Sequence, residues 1–363
     1  VRLETIDGIA VDPDNQPTVK AHSNVVLTGA VYDTDGSRMT DFNGYVTVVM
    51  YDSEKSVVSN GYGEGNPVPF DEQGSMLYSG RTTVTDGEFS IRIAMPMEIA
   101  GNFRPAALNM YAYATAAGDT REAIGCNRDF FVYGYDENAE DDTTPPVISD
   151  IVLNHPSFKP GDNVNESPMV MASVSDDNGI NLSSAGIGHQ MTITLDGTTT
   201  YSDVSQYYTP DISQDRVSGH IAYPMEDLTA GNHSLRLRVW DTSGNLAESD
   251  IEFFVIPGMA PKIYDIYSDA NPATVEANFY LTHNRPDATL SVTVSIYNLS
   301  GRKVWETTVK GRSDMFTTIP VTWDLTDEAG RKVNRGIYLY RATITSDSQQ
   351  FDTGTRKLAV APQ

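Results

Sequence analysis

The sequence has little cysteine, few basic residues and no long hydrophobic run, and each shortage excludes a class of protein. Its one cysteine, Cys126, rules out an internal disulfide and a cysteine-based zinc or iron–sulfur site. The 25 Lys and Arg stand against 49 Asp and Glu, a net charge of −24, so we expect no nucleic-acid partner. No run approaches the ~18 apolar residues of a membrane-spanning helix, so we expect no transmembrane segment. Because the chain begins at Val1 without a signal-like region, we expect it to be part of a longer polypeptide.

Helical periodicity is also scarce, whereas alternation of apolar and polar residues recurs at short intervals. The clearest alternating runs are 24–32, 45–51, 88–95 and 233–240. Turn dipeptides such as Asp86-Gly87, Asp196-Gly197 and Ser300-Gly301 stand between such runs, and glycine tolerates the positive φ of tight hairpin turns. This pattern predicts an all-β chain of β-sandwich type.

Two interruptions divide the chain. Residues 136–146 place several acids before a diproline, which indicates a self-repelling linker, and 256–261 contain Pro257-Gly258 and Pro261. The sequence therefore predicts three consecutive Ig-like sandwich modules, at 1–145, 146–257 and 258–363.

Charge is distributed unevenly over these modules. The first has 9 basic and 23 acidic residues (net −14), the second 4 and 15 (net −11), and the third 12 and 11 (net +1). A near-neutral third module is freer to dock on another surface than its two acidic neighbours. The more ordinary interpretation, which we favour, is that sandwich modules simply vary in charge.

No catalytic constellation is visible in the sequence. Cys126 has no nearby histidine in sequence, and we predict a small buried thiol at a strand start. The six histidines show no His-Glu-x-x-His pattern, and no Gly-x-Ser-x-Gly elbow occurs. A stand-alone hydrolase would need a nucleophile that these motifs do not supply.

Calcium is the more plausible ion, because Asp- and Asn-rich loops offer oxygen ligands. The candidate ligands are Asp176, Asp177 and Asn178, although we favour a turn-only role since Asp and Asn stabilise turns without a metal. We expect no other cofactor. Three Trp and 19 Tyr offer a sugar-stacking surface, but Trp240 and Trp323 lie in alternating runs and are predicted core residues.

Three stretches resemble one known family and occur in that family's order. The first comprises residues 41–46, 69–70, 77–80 and 87–90. The second comprises 158–162, 175–181, 185–189, 207–208, 228–233 and 239–241. The third comprises 271–272, 296–302, 323–331 and 336–338. Together they resemble the region downstream of the peptidase domain in the gingipain-type C-terminal signal peptidases, the sortases of the Bacteroidetes type IX secretion system. The third module is also similar to type IX C-terminal signal domains and to flagellar hook-capping Ig-like repeats.

The resemblance implies a non-catalytic role for this chain. The family's Cys-His peptidase domain lies upstream, so none of its catalytic residues is carried over, and Cys126 is not the nucleophile. The parent enzyme removes C-terminal signals from secreted cargo and attaches the cargo to the cell surface. Its implied partners are the upstream peptidase domain, an outer-membrane β-barrel shuttle protein and a surface attachment complex, which places it at the outer membrane facing the exterior.

We assign seven residues to docking or to signal recognition. They are Gly186, Gly188, His189, Gly301, Gly330, Gly336 and Lys357. For Gly186, Gly188 and His189 we favour a loop that satisfies its own backbone over a domain-docking role. The alternative function for the whole chain is a carbohydrate-binding or adhesin-type module of a secreted protein.

Overall fold

The computed structural model describes residues 1–60, 65–140, 142–186, 188–202, 204–212, 217–346 and 349–361. Within these ranges the chain forms strands and one short 3₁₀-helix, Val204–Tyr207, and no α-helix. In the same part of the chain no helix is long and apolar enough to cross a membrane. The prediction of an all-β fold is confirmed.

The strands follow one another along the whole chain. Those of the first segment are β1 Arg2–Ile6, β2 Ile9–Ala10, β3 Thr18–Ala21, β4 Asn24–Ala30, β5 Gly44–Tyr51, β6 Lys55–Val58, β7 Pro69–Glu72, β8 Met76–Val84, β9 Glu88–Ala94, β10 Ala107–Ala114, β11 Glu122–Asn127 and β12 Phe131–Tyr135. The next are β13 Val147–Leu153, β14 Asn163–Val164, β15 Met169–Asp176, β16 Thr192–Leu195, β17 Thr199–Tyr201, β18 Tyr208–Pro210, β19 Val217–Pro224, β20 Gly231–Trp240 and β21 Leu246–Val255. The last are β22 Ile263–Ser268, β23 Ala277–His283, β24 Thr289–Asn298, β25 Lys303–Arg312, β26 Val321–Trp323, β27 Gly336–Ser346, β28 Gln349–Asp352 and β29 Arg356–Val360.

Proximity of Cα atoms divides the chain into two compact units. The first comprises Val1–Ile151, Ala172–Tyr223 and His233–Glu252, and the second comprises Val152–Met171, Pro224–Asn232 and Phe253–Gln363. The three-module division at 145 and 257 stays a prediction. Each unit is described by itself below.

The first unit contains a sandwich built from the strands before residue 136. One sheet has the order β2-β1-β4-β9 and the other β11-β10-β5-β8. Alternation explains their common core: in β5, Val46, Val48 and Met50 point inward and are fully buried, and Leu27 of the opposite sheet joins the same cluster. Burying each such side chain stabilises the fold by roughly 1.5–3 kcal/mol.

Further strands of the first unit pair through tight turns. β16 pairs antiparallel with β17 and with β20, and β18 pairs with β19. The β16–β17 connection turns at Asp196 (φ 51°) and Gly197 (φ 67°), as the Asp-Gly dipeptide predicts.

A sandwich of the second unit follows residue 262. Its sheets have the orders β22-β23-β26 and β25-β24-β27-β28, with β29 on the other side of β27. Trp323 of β26 is fully buried between Trp305 and Tyr338, and its indole N–H donates to the Thr326 carbonyl at 2.8 Å. The prediction that Trp323 is a core residue is confirmed.

Two predictions about single side chains are wrong. Cys126 is exposed near the end of β11, because the outward positions of this edge strand are Glu122, Ile124 and Cys126. Trp240 is only half-buried, since the inward positions of β20 are His233, Leu235, Leu237 and Val239, and position 240 falls on the other face. Period-two alternation shows which side chains share a face of a strand. Which of the two faces is buried depends on the neighbouring strands.

Candidate functional site: an acidic cluster in the first unit

Two loops of the first unit use the same side-chain turn. Asp176 ends β15, is 1% exposed, and its Oδ1 accepts hydrogen bonds from the backbone N–H groups of Asn178 (2.8 Å) and Gly179 (2.7 Å). Asp241 follows β20, and its Oδ1 accepts from Ser243 (2.9 Å) and Asn245 (2.7 Å). These bonds are the turn-stabilising role that the sequence predicts for aspartate.

The two loops lie side by side. The Thr242 backbone N–H donates to the Gly179 carbonyl at 2.9 Å, and Ile180 forms an antiparallel bridge with Asp241. A Cβ on Gly179 would meet the Thr242 side chain at 3.2 Å, which explains the small residue at this contact. The loops are therefore held as one surface.

The acidic linker also reaches this surface. The Asn245 side-chain Nδ2 donates both to the Asp142 carbonyl (2.9 Å) and to Asp241 Oδ2 (2.6 Å), while Asp142 Oδ1 accepts from the Thr144 backbone (2.8 Å). Oxygen atoms of Asp142, Asp176 and Asp177 lie within 4.8 Å of one another. We call these three residues the acidic cluster.

Two oxygens of the acidic cluster have no hydrogen-bond partner in the part of the chain that the structure describes. Oδ2 of Asp176 and Oδ2 of Asp142 are both buried and accept no bond within the described part of the chain. Burial, reinforced by the negative charges of Asp241 and Asp142, raises the pKa of Asp176 to about 6. Burial also raises the pKa of Asp241. Burying a carboxylate without a compensating positive charge is costly. A bound cation would supply that charge to the acidic cluster.

Two of the three calcium ligands predicted from the sequence lie together in the structure. Asp176 and Asp177 belong to the acidic cluster, whereas Asn178 donates its backbone N–H to Asp176. Asp142 was missed because its surroundings have the composition of a solvated linker. The only sequence signal was the dense run of acids before Pro145-Pro146.

Gly186 and His189 lie against Glu98 of the segment that follows β9. A Cβ on Gly186 would come within 1.4 Å of Glu98 Oε2, and His189 Nδ1 lies 3.1 Å from Glu98 Oε1. The His189 ring meets Trp240 edge-on at 4.4 Å. Gly188 has a φ of 93° and open space around its Cβ position, and Ile187 lies outside the described residues. Docking of another protein on these residues stays a prediction.

The predicted signal residues lie in the second unit at two places. Gly301 (φ 82°) and Gly330 (φ 74°) form turns in which Asn298 and Asp327 accept backbone N–H groups. Both turns border one cavity, to which Arg302 and Arg331 contribute. Gly336 and Lys357 belong instead to the β27–β29 pair, where Gly336 faces Val360 and Lys357 faces Leu339. Their recognition by a partner stays a prediction.

Cys126 borders a shallow cavity in the first unit. The cavity is lined by Thr47, Val49, Asn109, Met110, Tyr111, Ile124, Gly125 and Cys126. None of these described lining residues is a histidine, the usual partner of a thiol nucleophile.

These observations define the class of the chain: an all-β protein that contains β-sandwiches. No family model matches the chain, and no curated protein matches it. Among solved structures the chain is similar to dimeric latent PorU from Porphyromonas gingivalis: it is 32% identical over 99% of this chain and 34% of that chain, with a TM-score of 0.41. The chain is thus related to a region of PorU and spans about a third of its length.

More distant likenesses are also found. A glucan-complexed SGBP-B from Bacteroides ovatus is 15% identical over 96% of this chain and 66% of its own, with a TM-score of 0.26. The FN1–FN3 domains of chicken CNTN1 are 11% identical over 98% of this chain and 98% of their own, with a TM-score of 0.20. Likenesses at this level support no statement about function.

Proposed function

We propose that this chain is the non-catalytic C-terminal scaffold and docking region of a surface cysteine peptidase of type IX secretion. In this proposal the parent enzyme removes C-terminal signals from arriving cargo and attaches the cargo to the cell surface. The chain itself positions the upstream peptidase domain and docks on an outer-membrane β-barrel partner and its attachment complex. The parent protein works at the outer membrane, facing the exterior.

One observation carries this proposal: the 32% identity to PorU extends over 99% of the chain. Identity at this level along the whole chain, and not in one module alone, favours a shared arrangement of modules. A region that covers 34% of PorU leaves room for a catalytic domain elsewhere in the parent protein.

The distribution of charge supports assigning the docking role to residues 258–363. The preceding residues carry net charges of −14 and −11, whereas this segment is near neutral at +1. Like charges repel the first two segments from an acidic surface, while a neutral segment approaches one without that cost. Strand β29 of this segment begins with two exposed basic residues, Arg356 and Lys357.

Deletion of residues 258–363 from the full-length parent tests the docking assignment. We expect the truncated enzyme to leave the membrane complex but still hydrolyse a soluble peptide, because the proposal places catalysis upstream. Co-purification with the barrel partner and a peptide-cleavage assay measure the two properties separately.

Single substitutions give a matched control for this deletion. Lys357→Ala should weaken co-purification, whereas Lys310→Ala, another exposed lysine on a strand of the same sheet, should not. A truncated enzyme that stayed fully assembled would contradict the docking assignment.

An exposed aromatic cluster favours a second candidate function, carbohydrate binding. Phe103 is 61% exposed and stacks on Phe131 with ring centres 4.3 Å apart and planes within 10°, and Tyr133 meets Phe103 edge-on at 5.3 Å. Tyr133 is 45% exposed. Flat exposed rings of this kind bind the apolar faces of sugars.

Affinity electrophoresis in gels containing soluble polysaccharides tests this alternative. If it holds, one polysaccharide retards the chain, and Phe103→Ala together with Tyr133→Ala abolishes the retardation. Tyr267→Ala is the control, because Tyr267 is similarly exposed and stacks on Tyr280 in the second unit. No retardation in any gel would remove this candidate.

A further inference from the structure

The acidic cluster combines close carboxylates with oxygens that nothing in the described chain satisfies. Asp142, Asp176 and Asp177 each place an oxygen within 4.8 Å of the others. Asp176 is 1% exposed, yet its Oδ2 has no hydrogen-bond partner among the described residues, and the buried Oδ2 of Asp142 has none among them either. Buried polar atoms are normally paired, so these two oxygens require an explanation.

The turn-stabilising role does not supply that explanation. In Asp176 the turn uses Oδ1, which accepts two backbone N–H groups, and leaves Oδ2 free. In Asp241 both oxygens are satisfied, Oδ1 by the turn and Oδ2 by the Asn245 side chain. Asp176 thus carries an unused acceptor beside two further carboxylates.

The donor set selects a hard cation. Only carboxylate oxygens make up the cluster, with no imidazole or thiolate, and oxygen-only sites suit calcium rather than zinc or copper. Calcium binds six to eight oxygens in flexible geometry, so backbone carbonyls and water can complete a site that three carboxylates begin.

We propose that Asp142, Asp176 and Asp177 form a calcium site. The ion neutralises the clustered charge and occupies the unused Oδ2 acceptors of Asp142 and Asp176. This assignment is independent of the proposed docking function, since it concerns only the chain's own stability.

The ion's structural effect follows from where its ligands lie. Asp176 ends β15 and Asp177 begins the loop that follows it, while Asp142 lies in the acidic segment between β12 and β13. The Asn245 side chain already joins the Asp142 carbonyl to Asp241. Calcium therefore fixes the acidic segment onto the Asp176 and Asp241 loops, where in its absence the acids repel one another.

Isothermal titration of the EDTA-treated 363-residue chain with Ca²⁺ tests the site. We expect saturable binding and a higher thermal midpoint in calcium than in EDTA. Tb³⁺ supplies a second readout, because Trp240 directly precedes Asp241 and can sensitise terbium luminescence that Ca²⁺ then quenches by displacement.

Isosteric amide substitutions separate ligand loss from misfolding. Asp176→Asn and Asp142→Asn retain an Oδ1 acceptor for the local turns but should weaken calcium binding by about tenfold or more. In EDTA, Asp176→Asn should melt at the wild-type temperature or above, because a buried negative charge is removed. Asp35→Asn, an exposed acid in a similar loop, is the control and should leave the affinity unchanged.

The inference is overturned by either of two results. One is a wild-type chain whose thermal midpoint is the same in calcium and in EDTA. The other is a calcium-induced shift that is equally large in wild type and in Asp176→Asn, which would place the ion elsewhere.

Discussion

At the scale of single residues, aspartates with the same local role differ in their surroundings. Asp33 Oδ1 accepts the backbone N–H groups of Asp35 and Ser37, as Asp176 Oδ1 accepts those of Asn178 and Gly179. Asp33 is exposed, so its other oxygen is accessible to solvent, whereas Asp176 is buried beside other acids. The turn was predictable from Asp and Gly, but the burial was not, since it depends on segments distant in sequence.

His283 is the buried titratable residue with the clearest consequence for stability. It ends β23, is 1% exposed, and its Nδ1 accepts the Arg285 backbone N–H at 3.1 Å. Burial, reinforced by electrostatic repulsion from the neighbouring His155 and Arg285 side chains, lowers the pKa of His283 to about 4. The folded chain therefore holds this imidazole in its neutral form at neutral pH.

We expect His283 to make the second unit less stable in mild acid. Its unfolded pKa is near 6.5, so below that pH the unfolded chain binds a proton that the folded chain excludes. The contribution is present above pH 6.5, is lost progressively as the pH falls to about 4, and amounts to about 3 kcal/mol. Urea unfolding at a series of pH values measures it.

A non-titrating variant isolates the histidine from the acids. His283→Gln should lose this part of the pH dependence, while the titration of Asp52 and Asp241, whose pKa values are raised by burial, cancels between the two proteins. Identical pH profiles for wild type and His283→Gln would contradict the assignment.

At the scale of elements, turns were easier to predict than the sheets they join. Asp86-Gly87 was predicted as a tight hairpin turn, and it does turn with φ values of 51° and 78°. However, β8 before it pairs with β5, and β9 after it pairs with β4 in the opposite sheet. The dipeptide fixes the reversal of the chain, while the pairing depends on which core face each strand's apolar residues cover.

The loop of Gly186 and His189 offers a prediction about its contact with Glu98. Gly186→Ala should rotate Glu98 away from His189, because the new Cβ would meet Glu98 Oε2 at 1.4 Å. The free energy of unfolding should fall by about 1 kcal/mol or less, which is typical of losing one partly exposed polar contact. Chemical denaturation measures the loss.

A double-mutant cycle identifies the cause of that loss. In a Glu98→Ala background, Gly186→Ala should cost almost nothing, since the obstructing carboxylate is gone. Gly188→Ala serves as the contrast: its φ of 93° strains any other residue, so its cost should be the same with or without Glu98. An undiminished effect of Gly186→Ala in the Glu98→Ala background would show that another contact is responsible.

At the scale of the whole molecule, the sequence predicted both the fold class and a family relationship. Scarcity of helical periodicity predicted an all-β chain, which the strands confirm, and the order of the three motif groups predicted a relationship to the type IX sortases. The uneven charge is also a property of the sequence alone. Its interpretation as a division between acidic and docking modules remains a prediction.

The sequence by itself determined the strands, the turns and the absence of a recognisable catalytic motif, because alternation, Asp-Gly dipeptides and motif spacing are local properties. Only the tertiary structure decided that Asp142 joins Asp176 and Asp177, that Cys126 is exposed, and that Trp240 meets His189. Those facts depend on which strands become neighbours. Strand pairing depends on how the apolar faces of distant strands combine into a common core. A pattern within one segment does not specify its distant partners.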